Sequence, residues 1–122
     1  MARIILAGTD GPSIAVLAAE LEAEGHEVVK ASDGYDAYGL ASTADLVFIE
    51  MDLPVYSGFD LCAMLRSDPD MPPGLPLVLF TDENLDPRRM ERARATCRFP
   101  KTHGTGDLRD LLAALLGEKA RA

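Results

Sequence analysis

Asp45-Leu46-Val47-Phe48-Ile49-Glu50-Met51-Asp52-Leu53-Pro54, followed by Ser57-Gly58-Phe59, decides the fold of this chain. Four consecutive apolar residues, Leu46 to Ile49, mark a strand buried on both faces, and the acids and proline after them mark its exit into a loop. Outward from this stretch the same sign recurs. Arg3-Ile4-Ile5-Leu6-Ala7 is a second such run, and Gly8-Thr9-Asp10-Gly11-Pro12 is turn chemistry. Pro12 suits the first turn of a helix, where its missing N–H needs no partner. Ile14, Leu17, Ala18 and Leu21 then recur at helical spacing, and Gly25 supplies the stop.

His26 to Lys30 reads as a shorter strand, and Asp33-Gly34 as the turn into a helix carrying Ala37, Tyr38 and Ala41. Phe59 to Arg66 reads as a helix with Phe59, Cys62, Ala63 and Arg66 on one side and Leu61 and Leu65 on another. Ser67 to Gly74, rich in Pro and Asp, is a loop, and Leu75 to Phe80 a fourth strand. A helix opens at Pro87 and runs to about Ala95. Arg98-Phe99 is a brief fifth strand. Leu108, Leu111, Leu112 and Leu115 mark a final amphipathic helix, and residues 118–122 read as a frayed end or the start of a linker.

Strand and helix thus alternate five times. Parallel strands need crossover connections, so the expected class is α/β: one domain over residues 1–122, a doubly wound (βα)5 five-stranded parallel sheet with helices on both faces. Reactive groups in such sheets gather at the carboxyl ends of the strands, here Gly8, Thr9, Asp10, Glu50, Thr81, Asp82 and Lys101.

Composition bounds the function. The 122 residues, 48% of them apolar, suffice for one core. No apolar run is long enough to cross a membrane, and no leader pattern precedes Arg3, so a cytoplasmic protein is expected. Cys62 and Cys97 lack metal or redox spacing and read as small buried residues of a reducing compartment. The net charge of -8 argues against nucleic acid as a partner. His26 and His103 have no partner at metal-ligand spacing, and no hydrolytic constellation is present, so neither enzyme activity, a cofactor nor a metal is expected.

With these elements in place, the segment around Glu50 resembles the phosphoacceptor segment of bacterial two-component response regulator receiver domains. In that family the strand ends in an aspartate, with a proline four residues on and a glycine four beyond it. Pro54 and Gly58 fit. The run from Glu24 to Ala37 resembles the family's second-strand region, Thr81 its switch threonine and Lys101 its conserved-type lysine. The resemblance covers nearly the whole chain and implies the flavodoxin-like receiver fold and a role in phosphorelay signalling.

The departures are pointed. The acceptor position holds Glu50, and the two metal-binding acids after the first strand are replaced by Gly8 and Thr9, with only the next residue, Asp10, acidic. Thr102 replaces the proline that follows the lysine, and Arg98 stands at the aromatic switch position. The chain is accordingly expected to be a pseudo-receiver that takes no phosphoryl group, with Glu50 directed at Lys101 and the Thr81 hydroxyl. Two alternatives stand beside it: a phosphorylatable receiver using Asp52 or Asp10, and a flavin- or phosphate-binding protein of similar architecture.

Arg88, Arg89, Arg92, Arg94 and Arg98 crowd into eleven positions of an otherwise acidic chain. In receivers the fourth helix, fifth strand and fifth helix form the usual partner face. The resemblance therefore implies a protein partner there, acidic by charge complementarity, or a homodimer with Asp107 and Asp110 facing the arginines.

Overall fold

The computed structural model describes residues 1–9 and 11–120. Five strands, β1 (Arg3–Ala7), β2 (Glu27–Ala31), β3 (Leu46–Glu50), β4 (Leu77–Phe80) and β5 (Cys97–Phe99), form one parallel sheet in the order β2-β1-β3-β4-β5. Five helices connect them: α1 (Pro12–Ala23), α2 (Gly34–Leu40), α3 (Gly58–Ser67), α4 (Pro87–Ala93) and α5 (Thr105–Leu116). This is the α/β, flavodoxin-like receiver architecture expected from the sequence.

The two-residue period of a strand sorts each apolar run onto two faces. Ile5, Val47, Ile49, Leu77 and Leu79 point toward α2, α3 and α4, with Ala37, Leu61, Cys62 and Leu65 packed over them. Ile4, Leu6, Leu46, Phe48, Val78 and Phe80 point the other way, under Leu17 and Leu21 of α1 and Leu108 and Leu112 of α5. All of these residues are buried. Among the described residues no helix is long and apolar enough to cross a membrane. Burial pushes the Cys62 thiol up to about 12 and raises that of Cys97, so both stay protonated.

Several boundaries shift for local reasons. α4 stops at Ala93 because Arg94 takes a left-handed cap (φ 56°) rather than continuing to Ala95. In α3, Phe59, Leu61, Cys62 and Leu65 are all buried while Ala63 and Arg66 are half-buried. The helix is wedged between sheet and neighbours, so its apolar arc joins the two sides that spacing alone separates. The stretch after α5 is a 3-10 turn, Gly117–Ala120, whose Lys119 Nζ lies 2.7 Å from Asp45 Oδ1.

Candidate functional site

β1 is flanked by β2 on one side and β3 on the other, so the connections leaving β1 and β3 part in opposite directions and open a crevice at their carboxyl ends. Gly8 and Thr9 leave β1 on one side of it, and Glu50 ends β3 on the other. Lys101 arrives from the loop after β5. A cleft of about 250 Å³ is lined by Thr9, Glu50, Met51, Asp52, Phe80, Thr81 and Lys101.

The Glu50 carboxylate holds two partners. Oε2 lies 2.5 Å from Lys101 Nζ, and Oε1 accepts a hydrogen bond from the Thr9 backbone N–H at 2.9 Å. The Glu50 side chain is only 14% exposed, so the pair works in a medium where Coulomb attraction and charge-assisted hydrogen bonding are strong. Lys101 Nζ also stands 5.8 Å from the centre of the Phe80 ring.

Gly8 is what admits this arrangement. A Cβ at position 8 would come within 2.3 Å of Glu50 Oε1, 2.9 Å of its Cδ and 2.8 Å of Ile14 Cδ1. Gly8 is absent from the positive-φ residues, so space and not backbone conformation demands glycine here. The longer acid at 50 and the missing side chain at 8 are two halves of one packing solution.

Thr81 is buried, and its hydroxyl does not reach Glu50: Oγ1 accepts from the Glu83 N–H at 3.1 Å, closing a local turn. The expected Glu50–Thr81 approach is thus replaced by Glu50–Thr9. The neighbouring Asp82 takes both the N–H and the hydroxyl of Thr102 on Oδ1, each at 3.0 Å. The Thr102 N–H bond is the main reason its carboxyl lies below the usual carboxylate range. Asp52 is exposed beside the cleft, and Asp10 lies outside the described residues. Among the described residues no group of three or more His, Cys, Asp and Glu side chains is placed to hold a metal ion.

The loop carrying Lys101 is pinned by a residue whose role the sequence concealed. His103 has a side chain only 3% exposed, with its ring centre 4.5 Å from that of Phe99. One ring nitrogen lies 2.8 Å from the Pro100 carbonyl, the other 2.9 Å from Glu20 Oε1 of α1. No local pattern reports a partner 83 residues away. Arg66 was likewise legible only as a helical residue. Its guanidinium donates to the carbonyls of Leu75 (2.6 Å) and Arg94 (2.9 Å) and to Thr96 Oγ1 (3.2 Å), tying α3 to the end of α4 and the approach to β5.

The arginines do not form one flat face. Arg89 lays its guanidinium 4.5 Å over the Phe59 ring of α3, while Arg98 donates from Nη1 to the Thr81 carbonyl at 3.2 Å. Arg88, Arg89, Arg92 and Arg94 are exposed. Asp107 faces its own helix start, its Oδ2 accepting from the Gly104 N–H at 3.0 Å.

Comparison with known proteins agrees with this geometry. The sequence profile of the response regulator receiver domain matches residues 4–113. Protein PilH of Pseudomonas aeruginosa is 30% identical over 86 residues, 69% of this chain and 70% of PilH. The alkaline phosphatase synthesis transcriptional regulatory protein PhoP of Bacillus subtilis is 33% identical over 88 residues, 69% of this chain but 35% of PhoP, so the chain spans only part of that regulator's length. The chemotaxis protein CheY4 of Vibrio cholerae superposes with a TM-score of 0.80 at 25% identity, covering 94% of this chain and 98% of CheY4. The receiver domain of the Pseudomonas aeruginosa sensor histidine kinase PA1611, solved with a magnesium ion in its active site cleft, shares the fold: TM-score 0.83 at 22% identity, over 95% of this chain and 98% of that one. Sheet order, the placement of Glu50, Thr81 and Lys101 on three strand ends, and the profile match over residues 4–113 converge: the chain belongs to the response regulator receiver domain family of two-component signalling.

Proposed function

We propose that this receiver domain has its phosphorylation pocket permanently filled and acts as a signalling interaction module, binding a protein partner without aspartyl phosphorylation. One observation carries the reading: the Glu50 carboxylate is already held by Lys101 and the Thr9 N–H, in space that Gly8 leaves open. An incoming phosphoryl group needs an acceptor, a cation to receive its oxygens and a metal to neutralise them. The lysine is occupied.

The donors do not fit magnesium either. That ion demands a compact octahedron of oxygens, usually with carboxylates. Gly8 and Thr9 bring no carboxylate, and a metal at Glu50 would have to displace Lys101 at 2.5 Å. Signalling through this domain therefore runs through its surface. The arginine-bearing edge of α4 and β5 is the partner-binding side, with Arg88, Arg92 and Arg98 the foremost contacts and an acidic protein, rather than a second copy, as partner. The test is a magnesium titration followed by backbone amide NMR. Shifts at Thr9, Glu50 and Lys101 are expected to stay put; saturable shifts at these three residues would contradict the reading.

A second reading rests on Asp52, exposed at the rim of the same cleft. Phosphopeptide mapping after treatment with acetyl phosphate decides it, since a phosphoryl group on Asp52 would make that residue the acceptor.

A further inference from the structure

α3 and α4 lie side by side, and between them runs a groove of about 300 Å³ lined by Phe59, Asp60, Ala63, Arg89, Arg92 and Ala93. Its floor is apolar and its residues are small at Ala63 and Ala93, leaving room for a side chain from outside. Arg89 and Arg92 are three residues apart on α4 and share its side. Both are exposed, and Arg89 is already stacked on Phe59, with its planar donor fork held ready for a carboxylate.

The charge pattern says what belongs there. The chain carries 20 acids against 12 lysines and arginines. Among the described residues four of these cations find them: Arg3 pairs with Glu27, Lys101 with Glu50, Arg109 with Glu24 and Lys119 with Asp45, whereas the arginines of α4 do not. Arg89 and Arg92 make no ion pair with a carboxylate among the described residues, although Asp60 lines the same groove. Two unneutralised forks over an apolar floor form a local basic patch that complements carboxylates flanking one apolar side chain.

We infer that the α3–α4 groove is the docking site for an acidic segment of a partner protein that inserts one apolar side chain between Ala63 and Ala93. This rests on the reading of the domain as a protein-binding module and extends its arginine-bearing surface from the outer edge of α4 to the α3 side, with Arg92 common to both. A second copy is the weaker occupant, because two domains of net charge -8 repel over most of their surfaces.

Fluorescence anisotropy with two labelled probes tests it: a peptide of Asp and Glu with one central phenylalanine, and the same peptide with glycine in its place. The phenylalanine probe should bind roughly tenfold tighter, the factor that burial of one aromatic side chain supports. Ala63→Gln, which fills the groove, should erase that preference. Arg89→Glu/Arg92→Glu, folded by circular dichroism, should weaken both probes by at least about tenfold, while Lys30→Glu, an equal charge change per residue on exposed β2, should leave the preference standing. Absence of probe binding, equal affinity for the two probes, or a preference that survives Ala63→Gln would overturn the groove. Dimers in sedimentation that Ala63→Gln disrupts would assign it to a second copy and overturn the partner segment. Intact mass is recorded on the same samples after acetyl phosphate. A gained phosphoryl group overturns the filled pocket and leaves the groove standing, whereas insensitivity to the groove variants overturns the groove alone.

Discussion

Gly8 and Glu50 are fitted to each other across the mouth of the sheet: the space a Cβ at position 8 would take is the space in which Glu50 Oε1 sits, 2.3 Å from it. A double-mutant cycle reads this relationship. Gly8→Ala should cost about 1–2 kcal/mol in the native background, because the carboxylate is pushed off the Thr9 N–H and strained against Lys101. With Glu50→Ala already in place, the same substitution should cost well under half as much, leaving only the terminal methyl of Ile14 to shift. Urea unfolding of the four proteins measures the coupling, expected at about 0.5–2 kcal/mol.

Lys101→Met should destabilise the domain by about 1–3 kcal/mol, since it leaves a mostly buried carboxylate with a single backbone donor. Glu50→Gln in the Lys101→Met protein should recover part of that loss by removing the uncompensated charge. Thermal unfolding of the single and double variants is the measurement, and no recovery would mean that Glu50 is adequately hydrated without the lysine.

Much of this architecture was legible in the chain, for a simple reason. Strands buried on both faces write themselves as unbroken apolar runs, so Arg3 to Ala7 and Leu46 to Ile49 declared the sheet, and the residues that follow such runs must lie at its carboxyl edge. The absence of acids at Gly8 and Thr9 was equally plain. The Glu50–Lys101 pair was legible too, but the second partner of the carboxylate, the Thr9 N–H, was not. The reach of Glu50 depends on empty volume at Gly8, and the Thr81 hydroxyl is turned to the Glu83 N–H; both are facts of packing. His103–Glu20 and the Arg66 clamp join residues far apart in sequence, and the division of the arginines between the Phe59 side and the Thr81 carbonyl follows from where α4 ends.

His26 should impose a pH dependence on stability. Its Nδ1 accepts from the Ala2 N–H at 3.1 Å, and burial holds its pKa below the ordinary 6.5, aided by the charge of the amino terminus and opposed by Glu24 and the Ala120 backbone. The unfolded chain therefore takes up a proton near pH 6.5 that the folded protein refuses. The stability present above that pH is lost as pH falls below it, down to the folded pKa. His26→Asn keeps an acceptor for Ala2 and removes the titration. Denaturation midpoints between pH 7.5 and pH 5 should fall more steeply for the native protein than for the variant, and parallel curves would contradict the assignment.

Val55 sits at φ 75° in the loop between β3 and α3, 67% exposed, a conformation that a β-branched side chain disfavours. Val55→Asn should therefore stabilise the domain by about 1 kcal/mol, as release of a strained backbone position does. A lower unfolding midpoint would show that the valine side chain contributes packing that outweighs the strain.

The central claim is that a carboxylate already fills the place of the phosphoryl group. The most direct test is intact mass spectrometry of the native domain after incubation with acetyl phosphate and magnesium, with quenching that preserves acyl phosphates. The account predicts an unchanged mass at every time point. A stable gain of one phosphoryl group, mapped to an aspartate of the cleft, would contradict it.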